Sequence, residues 1–267
     1  MSIICIINFG EKNMSVYTAR QWVELFHLLF LAQLGRKLEK NSYALKGGGN
    51  MRFFLRSPRY SDDIDLDVQR VAVDVLRKKV NSILYSKPFR EILRVRDIEI
   101  ERITEHKQTE TTQRWKMGLV VPHGEKSLPT KIEFSRRGLE KPLEFGSISA
   151  EIIRAYEISP IMVNHYPAEV TCQQKIRALL SRSTAQARDV FDLYHLLASG
   201  VKKLIFPQEV AANINKAKEN ILSMDFGFFK SQVVSYLESD VQRQYESEEV
   251  WDNMRLLVAE ALSEVQG

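Results

Sequence analysis

The sequence has 267 residues, of which 44% are hydrophobic and 27% are charged, a composition that excludes a disordered or low-complexity chain. Two cysteines exclude a disulfide framework, and apolar runs too short for a signal peptide or a membrane span predict a cytoplasmic protein with no membrane partner. The net charge of +4 is unevenly distributed, because residues 46–137 hold 20 basic and 13 acidic residues, which favours a phosphate-rich substrate.

The N-terminal region predicts a tail followed by one helix. Residues 1–14 have the character of a disposable tail, and Met14 is an alternative start of translation. Residues 18–40 carry apolar side chains at helical spacing, which predicts a buried helix, although Gly35 interrupts the pattern.

A glycine-rich turn follows a short predicted strand. Tyr43–Leu45 is an apolar run that stops at Gly47 and Gly48, and Asn50 is expected to cap a short helix that ends before Pro58. Glycines between a strand and a helix let backbone N–H groups approach a phosphate, and the helix dipole favours the anion. The turn therefore predicts phosphate binding at Gly47 and Gly48, with a plain tight turn as the alternative.

The next segment predicts a strand with one acidic face. Residues 63–68 alternate acidic and apolar side chains, so Asp63 and Asp65 project from the same side. Two such charges about 4 Å apart repel by about 4 kcal/mol at an effective dielectric constant of about 20. Because carboxylate oxygens are preferred ligands of Mg²⁺ (or Mn²⁺), the pair predicts a metal site that positions a triphosphate for in-line displacement. A solvated acidic strand end is the alternative.

Later segments predict an α+β domain at 15–148 followed by a helical domain at 149–267. Periodicity indicates a helix from Val73 and then three strands, with the last two joined by a turn. These strands are predicted at 97–104, 112–121 and 130–135. Five helices are predicted in the second domain, at 168–182, 185–198, 207–222, 226–240 and 246–265.

Three side chains near the strands extend the predicted site. Glu133, between apolar neighbours on its strand, is expected to be the third carboxylate, as a metal ligand or as the base for a hydroxyl nucleophile. Arg59 and Ser61 precede the acidic strand and are predicted to hold phosphate oxygens. The alternatives are a water-facing glutamate and ordinary loop residues.

The helical half is predicted to contribute a second set of charges. Lys175 and Arg182 share a helix face and are expected to contact the triphosphate, with Asp189 orienting one or the other. A simple salt bridge between Arg188 and Asp192, which are four residues apart, is the alternative for this helix.

These residues together resemble the AbiEii/AbiGii-type nucleotidyltransferase toxins of the polymerase-β-like nucleotidyltransferase superfamily. The superfamily signature is matched by Leu45-Lys46-Gly47-Gly48 and by Arg59-x-Ser61-x-Asp63-Ile64-Asp65-Leu66. The particular branch is indicated by Lys131-x-Glu133, Lys175-x-x-Ala178 and Arg188-Asp189-x-x-Asp192-Leu193-Tyr194. The resemblance covers residues 43–197.

The resemblance implies a mixed β-sheet flanked by helices, followed by a C-terminal helical bundle. It also implies that Asp63, Asp65 and Glu133 ligate Mg²⁺ (or Mn²⁺) and that Lys175 and Asp189 are essential. The implied function is that of a toxin from a toxin–antitoxin or phage-defence system, which transfers a nucleotide from an NTP to RNA and releases pyrophosphate. The expected acceptor is the tRNA 3′ end, and a cognate antitoxin is an expected partner.

Two departures and three alternatives accompany this hypothesis. Gly49 stands where many superfamily members have Ser or Thr, and Glu133 replaces the common Asp. The sequence leaves open transfer to a protein hydroxyl, transfer to a small molecule, and a non-catalytic module that binds a partner.

Overall fold

The chain forms one mixed β-sheet with helices packed on it and a helical layer that follows. The computed structural model describes residues 17–263 apart from His123, Glu125, Ser183 and residues 202–211. The predicted tail, Met14 and parts of two predicted helices (207–211 and 264–265) lie outside the described residues. Within them, seven strands and ten α-helices confirm the predicted α+β class.

The sheet has the spatial order β3-β4-β5-β2-β1-β7-β6. Its strands are β1 (Tyr43–Lys46), β2 (Asp63–Val68), β3 (Glu99–Gln108), β4 (Thr112–Val120), β5 (Leu128–Ser135), β6 (Glu144–Ser147) and β7 (Met162–His165). Strand β2 pairs in parallel with β5 and β1 in parallel with β7, whereas the other neighbouring pairs are antiparallel. β2, which carries the alternating acidic residues, therefore lies in the centre of the sheet.

The helices surround one face of the sheet and then pack on each other. They are α1 (Ala19–Leu34), α2 (Gly47–Phe53), α3 (Val73–Leu84), α4 (Lys87–Val95), α5 (Ala150–Ala155), α6 (Ala168–Ser181), α7 (Ala187–Ala198), α8 (Ile214–Leu222), α9 (Phe226–Gln232) and α10 (Glu248–Ala261). No helix among the described residues is both long enough and apolar enough to cross a bilayer.

The helix predicted at 18–40 begins one residue later, at Ala19, and ends six residues early, at Leu34. The Thr18 hydroxyl accepts a hydrogen bond from the backbone N–H of Gln21, and the Gln21 side-chain oxygen accepts one from the backbone N–H of Thr18, which closes a capping box. The helix ends before Gly35, the residue that interrupts the pattern.

The predicted cap at Asn50 is wrong. Helix α2 begins directly at Gly47, three residues earlier, so Asn50 lies inside the helix. Its side chain is fully buried and donates to the carbonyl of Tyr166 and the hydroxyl of Thr171. Asn50 therefore ties α2 to the segment that leads into α6.

Two parts of the C-terminal half differ from the predicted helices. Strand β7 lies beyond residue 148 and pairs with β1, so the predicted purely helical character of 149–267 is wrong there. The predicted helix 226–240 ends at Gln232, because Val233 leaves the helical conformation and residues 236–238 pair with 58–60 instead. The division into two domains at residue 148 stays a prediction.

The buried apolar residues form two main cores. One lies between the sheet and helices α1, α3, α4 and α5, and the other lies among α6 to α10. Helix α2 joins them, because Phe53 packs in the first core and Met51 packs in the second. The open space between the two halves is the cleft that holds the candidate active site.

Candidate active site

All the site residues predicted from sequence line one cleft of about 930 Å³ between the sheet and the helical half. They are Gly47, Gly48, Arg59, Ser61, Asp63, Asp65, Glu133, Lys175, Arg182 and Asp189. The volume lies within the usual range for a small-molecule site, about 300–1,000 Å³.

The register of β2 and β5 places the predicted carboxylates on the same face. Asp65 lies opposite Glu133, and Asp63 lies opposite Lys131. Residues that face each other on neighbouring strands project to the same side of a sheet. The strand alternation seen in the sequence therefore has its structural counterpart in a charged surface that faces the cleft.

Lys131 lies among these carboxylates, a position for which no role was predicted from sequence. Its Nζ is 3.0 Å from Asp63 Oδ2 and 3.6 Å from Glu133 Oε2. Arg114 Nε also donates to Glu133 Oε2 at 2.6 Å. The position of Lys131, two residues before Glu133 on a strand, is the sequence signal that could have identified it.

The same contacts shift the pKa values of Glu133 and Lys131. Burial acts to raise the pKa of Glu133, but the hydrogen bond from Arg114 and the charge of Lys131 hold it below its usual value. Burial acts to lower the pKa of Lys131, but Asp65 and Asp63 raise it above its usual value. Glu133 is therefore an ionised carboxylate bound by two cations.

Asp63 and Glu133 are each held by an ion pair, whereas Asp65 has none within the described residues. Burial raises its pKa, the charge of Lys131 lowers it, and the charges of Asp63 and Glu133 raise it again, with a net increase. Its Oδ2 lies so close to Gly47 that a Cβ added there would be 2.9 Å away. Gly47 also has a φ of 64°, a backbone angle that residues with a side chain rarely adopt. Both the contact with Asp65 and this angle therefore require glycine here.

Gly48 and Ser61 pack against each other at the next step along the cleft. A Cβ added to Gly48 would lie 2.6 Å from Ser61 Oγ. That hydroxyl donates to the backbone carbonyl of Asp63 at 2.8 Å, so the structure uses it to hold the start of β2. To donate to a phosphate, as predicted, Ser61 would have to give up this hydrogen bond.

Asp192, predicted only as a salt-bridge partner of Arg188, is paired with two cations of the site instead. It is fully buried on α7 and accepts hydrogen bonds from Arg59 Nη2 at 3.0 Å and from the Lys175 ammonium. Burial acts to raise its pKa, but Arg59 and Lys175 hold the pKa below its usual value. Arg188, by contrast, is exposed at the cleft.

Arg59 lines the cleft, but its guanidinium is paired with Asp192, so its predicted binding of phosphate stays a prediction. Arg59 Nε and Nη2 both bind Asp192, and Nη1 donates to the carbonyl of Tyr60. Its side chain is buried, and it anchors the loop before β2 to the helical half.

Asp189 lies beside both cations that it was predicted to orient, Lys175 and Arg182. Its carboxylate binds Arg182 and has an oxygen 3.8 Å from Lys175 Nζ. Lys175 therefore lies between Asp189 and Asp192, with its ammonium at the cleft. The two acidic residues, one helical turn apart on α7, fix the cation that faces the sheet.

The carboxylates fit a divalent cation only in part. Within the described residues, no three Asp, Glu, His or Cys side chains are arranged to hold a metal ion. Asp63 and Asp65 offer hard oxygen donors on one face, and Asp65 makes no ion pair with another described residue, which suits Mg²⁺ or Mn²⁺. Glu133, predicted as the third ligand, is instead bound by Arg114 and Lys131.

The fold is similar to that of two solved structures. MenT4, the nucleotidyltransferase toxin Rv2826c from Mycobacterium tuberculosis H37Rv, has a TM-score of 0.64 and 17% identity, with 93% of this chain and 85% of that chain covered. JHP933 from Helicobacter pylori has a TM-score of 0.57 and 16% identity, with coverage of 94% and 96%. At such identity the likeness concerns the fold alone.

The sequence itself identifies the family. A comparison with curated proteins gave no match. Residues 29–263 match the family described as "Nucleotidyl transferase AbiEii toxin, Type IV TA system". This range includes both the sheet and the helical half. The chain therefore belongs to the AbiEii family of nucleotidyltransferase toxins of type IV toxin–antitoxin systems, and it is a nucleotidyltransferase.

Proposed function

We propose that the protein transfers a nucleotide from an NTP to RNA, with the 3′ end of tRNA as the acceptor, and that it requires Mg²⁺ or Mn²⁺. The observation that carries the proposal is the cleft in which Asp63 and Asp65 face the lysine of the helical half beside a glycine pair. Carboxylates for a cation and an ammonium for phosphates are the two charge types that a metal–triphosphate complex needs.

Each residue has a role that follows from its contacts. Gly47 and Gly48 line the cleft in the first turn of α2, where backbone N–H groups have no acceptor within the helix and can donate to the triphosphate. Lys175 and Arg182 bind phosphate oxygens from the other side. Asp63 and Asp65 would hold the cation, which supplies charge neutralisation for the triphosphate.

The transfer is a displacement at the α-phosphorus. The acceptor hydroxyl oxygen forms a bond to this phosphorus, the bond to the bridging oxygen breaks, and pyrophosphate leaves with the electron pair. The hydroxyl proton needs an acceptor, and Glu133 is ionised and near the reacting face. Glu133 can take the proton only if Arg114 releases it, because a carboxylate bound by two cations is a weak base.

The experiment combines purified protein, Mg²⁺ or Mn²⁺, each labelled NTP in turn, and unfractionated tRNA. We expect label at the tRNA 3′ end, loss of that label in Asp65→Asn, and full activity in Asp74→Asn, a matched change on the exposed side of α3. Label on a protein hydroxyl or on a small molecule would redirect the proposal to that acceptor. Transfer that survives both Asp65→Asn and chelation of the metal would contradict it.

Two further expectations belong to this proposal. Membership of a type IV toxin–antitoxin family implies a cognate antitoxin. We place the protein in the cytoplasm, where NTPs and tRNA are both abundant.

A further inference from the structure

The face that carries the carboxylates continues outward across two more strands. On β4, Arg114 lies opposite Glu133 and Lys116 lies opposite Lys131. On β3, Lys107 lies opposite Arg114. Because facing residues share a side of the sheet, Lys107, Arg114 and Lys116 extend the floor of the cleft toward the edge of the sheet. We call these three residues the β3–β4 basic face.

The β3–β4 basic face is open to solvent, whereas the other side of the same strands is covered. Trp115, between Arg114 and Lys116, is fully buried and donates to Asn81 on α3. Lys107 and Lys116 are both exposed. Neither makes an ion pair with any other residue in the described part of the chain, whereas Arg114 is held by Glu133.

This arrangement of charges is unfavourable for the sheet taken alone. Lys107 faces Arg114 and Lys116 faces Lys131, and like charges directly opposite each other destabilise paired strands. Glu133 balances only part of that charge. Glu105, the nearest acidic residue on β3, is bound by Arg77 and Asn81 of α3, and Glu101 lies beside Gly118, one register step beyond Lys116. A row of like charges that leads out of an active site points to an anionic ligand.

We propose that the β3–β4 basic face binds the sugar–phosphate backbone of the RNA whose end reaches the carboxylates, an inference that rests on the proposed function. Neighbouring strands are about 4.8 Å apart, so Lys116 and Lys107 lie about 5 and 10 Å from β5 along the path out of the cleft. The face offers ammonium groups without an aromatic anchor. That composition suits a polyanion, which is bound through counterion release, and not a protein partner, which needs apolar anchors.

The test compares Lys107→Gln/Lys116→Gln with a matched pair, Lys78→Gln/Lys87→Gln. The control lysines are also exposed but belong to α3 and α4, the helices that cover the opposite side of the sheet. Binding of labelled unfractionated tRNA is measured against salt concentration. For the first pair, the negative slope of log K against log salt should become shallower by about 2. This change corresponds to binding on the order of 100-fold weaker at about 0.1 M salt. The control should keep the wild-type slope.

The outcomes separate this inference from the proposed function. Wild-type affinity and slope in Lys107→Gln/Lys116→Gln overturn the inference, as does equal loss in the control pair or a wild-type protein that does not bind tRNA at low salt. Neither substitution touches the carboxylates, so NTP binding should remain at the wild-type level. The proposed function fails on a different result, namely transfer that does not depend on Asp65. The double variant should also unfold at or above the wild-type temperature, since two like-charge contacts are removed.

Discussion

At the residue scale, Asp192 is the point where two cations from different parts of the chain meet. Arg59 comes from the loop before β2, Lys175 comes from α6, and both bind one fully buried carboxylate. Asp192 does not line the cleft, so it acts through Lys175 as a positioning residue. Its loss would leave two poorly solvated positive charges without their shared partner.

We therefore expect Asp192→Asn to lower the free energy of unfolding by about 3–5 kcal/mol at neutral pH, the usual cost of breaking a buried ion pair. Because its folded pKa lies below the unfolded value near 3.8, the stabilisation is complete above that value and is lost as the pH falls through the folded pKa. Denaturant unfolding of both proteins from neutral to acidic pH measures this difference. Asp252→Asn, at a half-exposed pair with Arg255, should cost less than about 1 kcal/mol. A difference that widens on acidification would contradict the assignment.

Gly47 is the second residue with a sharp expected effect. Gly47→Ala forces a Cβ against Asp65 Oδ2 at 2.9 Å and should reduce kcat/KM for nucleotide transfer by at least about 100-fold, as a misplaced reacting group does. Gly200→Ala is the control for backbone strain, because its φ of 101° is at least as unfavourable for alanine as 64°, with nothing within 4 Å of the added Cβ. Both variants should lose about 1 kcal/mol of stability, but only the first should lose activity. Equal loss of activity in both would show that strain alone explains the effect.

At the element scale, the central strand was predicted correctly, because each of its acidic side chains faces the cleft and each apolar one faces a core. Strands β6 and β7 were missed, since each has four residues and β7 is held through a distant partner, β1. The helix predicted at 226–240 failed because residues 236–238 bond to 58–60, a contact that helical periodicity does not encode.

Site residues were likewise predictable where a local pattern marks them and unpredictable where distant contacts do. Asp63 and Asp65 could be found from spacing along one strand. The contacts of Lys131 with Asp63 and of Asp192 with Arg59 arise from strand register and from packing between the two halves. Local sequence patterns do not report such contacts, and for this reason the pairing of Arg59 with Asp192 was not predicted.

Strand β5 gives the prediction that belongs to this scale. The Lys131 ammonium balances Asp63 and Glu133, so a divalent cation has to compete with it. Lys131→Gln should therefore lower the melting temperature without metal and increase the rise in melting temperature that Mg²⁺ produces, as mass action requires for a ligand of the folded state. Lys126→Gln, at an exposed position in the turn before β5, should change neither quantity. An unchanged response to Mg²⁺ in Lys131→Gln would place the cation elsewhere.

At the scale of the whole molecule, two cores are joined by helix α2 and by the Arg59–Asp192 pair, so we expect them to unfold as one unit. Trp115 lies in the sheet core and Trp251 in the helical core, and both are fully buried. Two variants, each keeping only one of these tryptophans and having Trp22 and the other replaced by Phe, report the unfolding of each core by fluorescence during denaturation. Coincident transitions are expected, and well-separated midpoints would contradict the coupling of the two halves.

The backbone pairing of 58–60 with 236–238 limits how this enzyme can be divided. Tyr60 N–H donates to the carbonyl of Tyr236, and Glu238 N–H donates to the carbonyl of Pro58, directly beside the loop that carries Arg59. A fragment cut before residue 236 would retain every sheet carboxylate yet lose the segment that holds this loop in place. We therefore expect the smallest active fragment to extend past Glu238. A chimera that joins this sheet to the helical half of another protein should be inactive unless it restores the same backbone pairing.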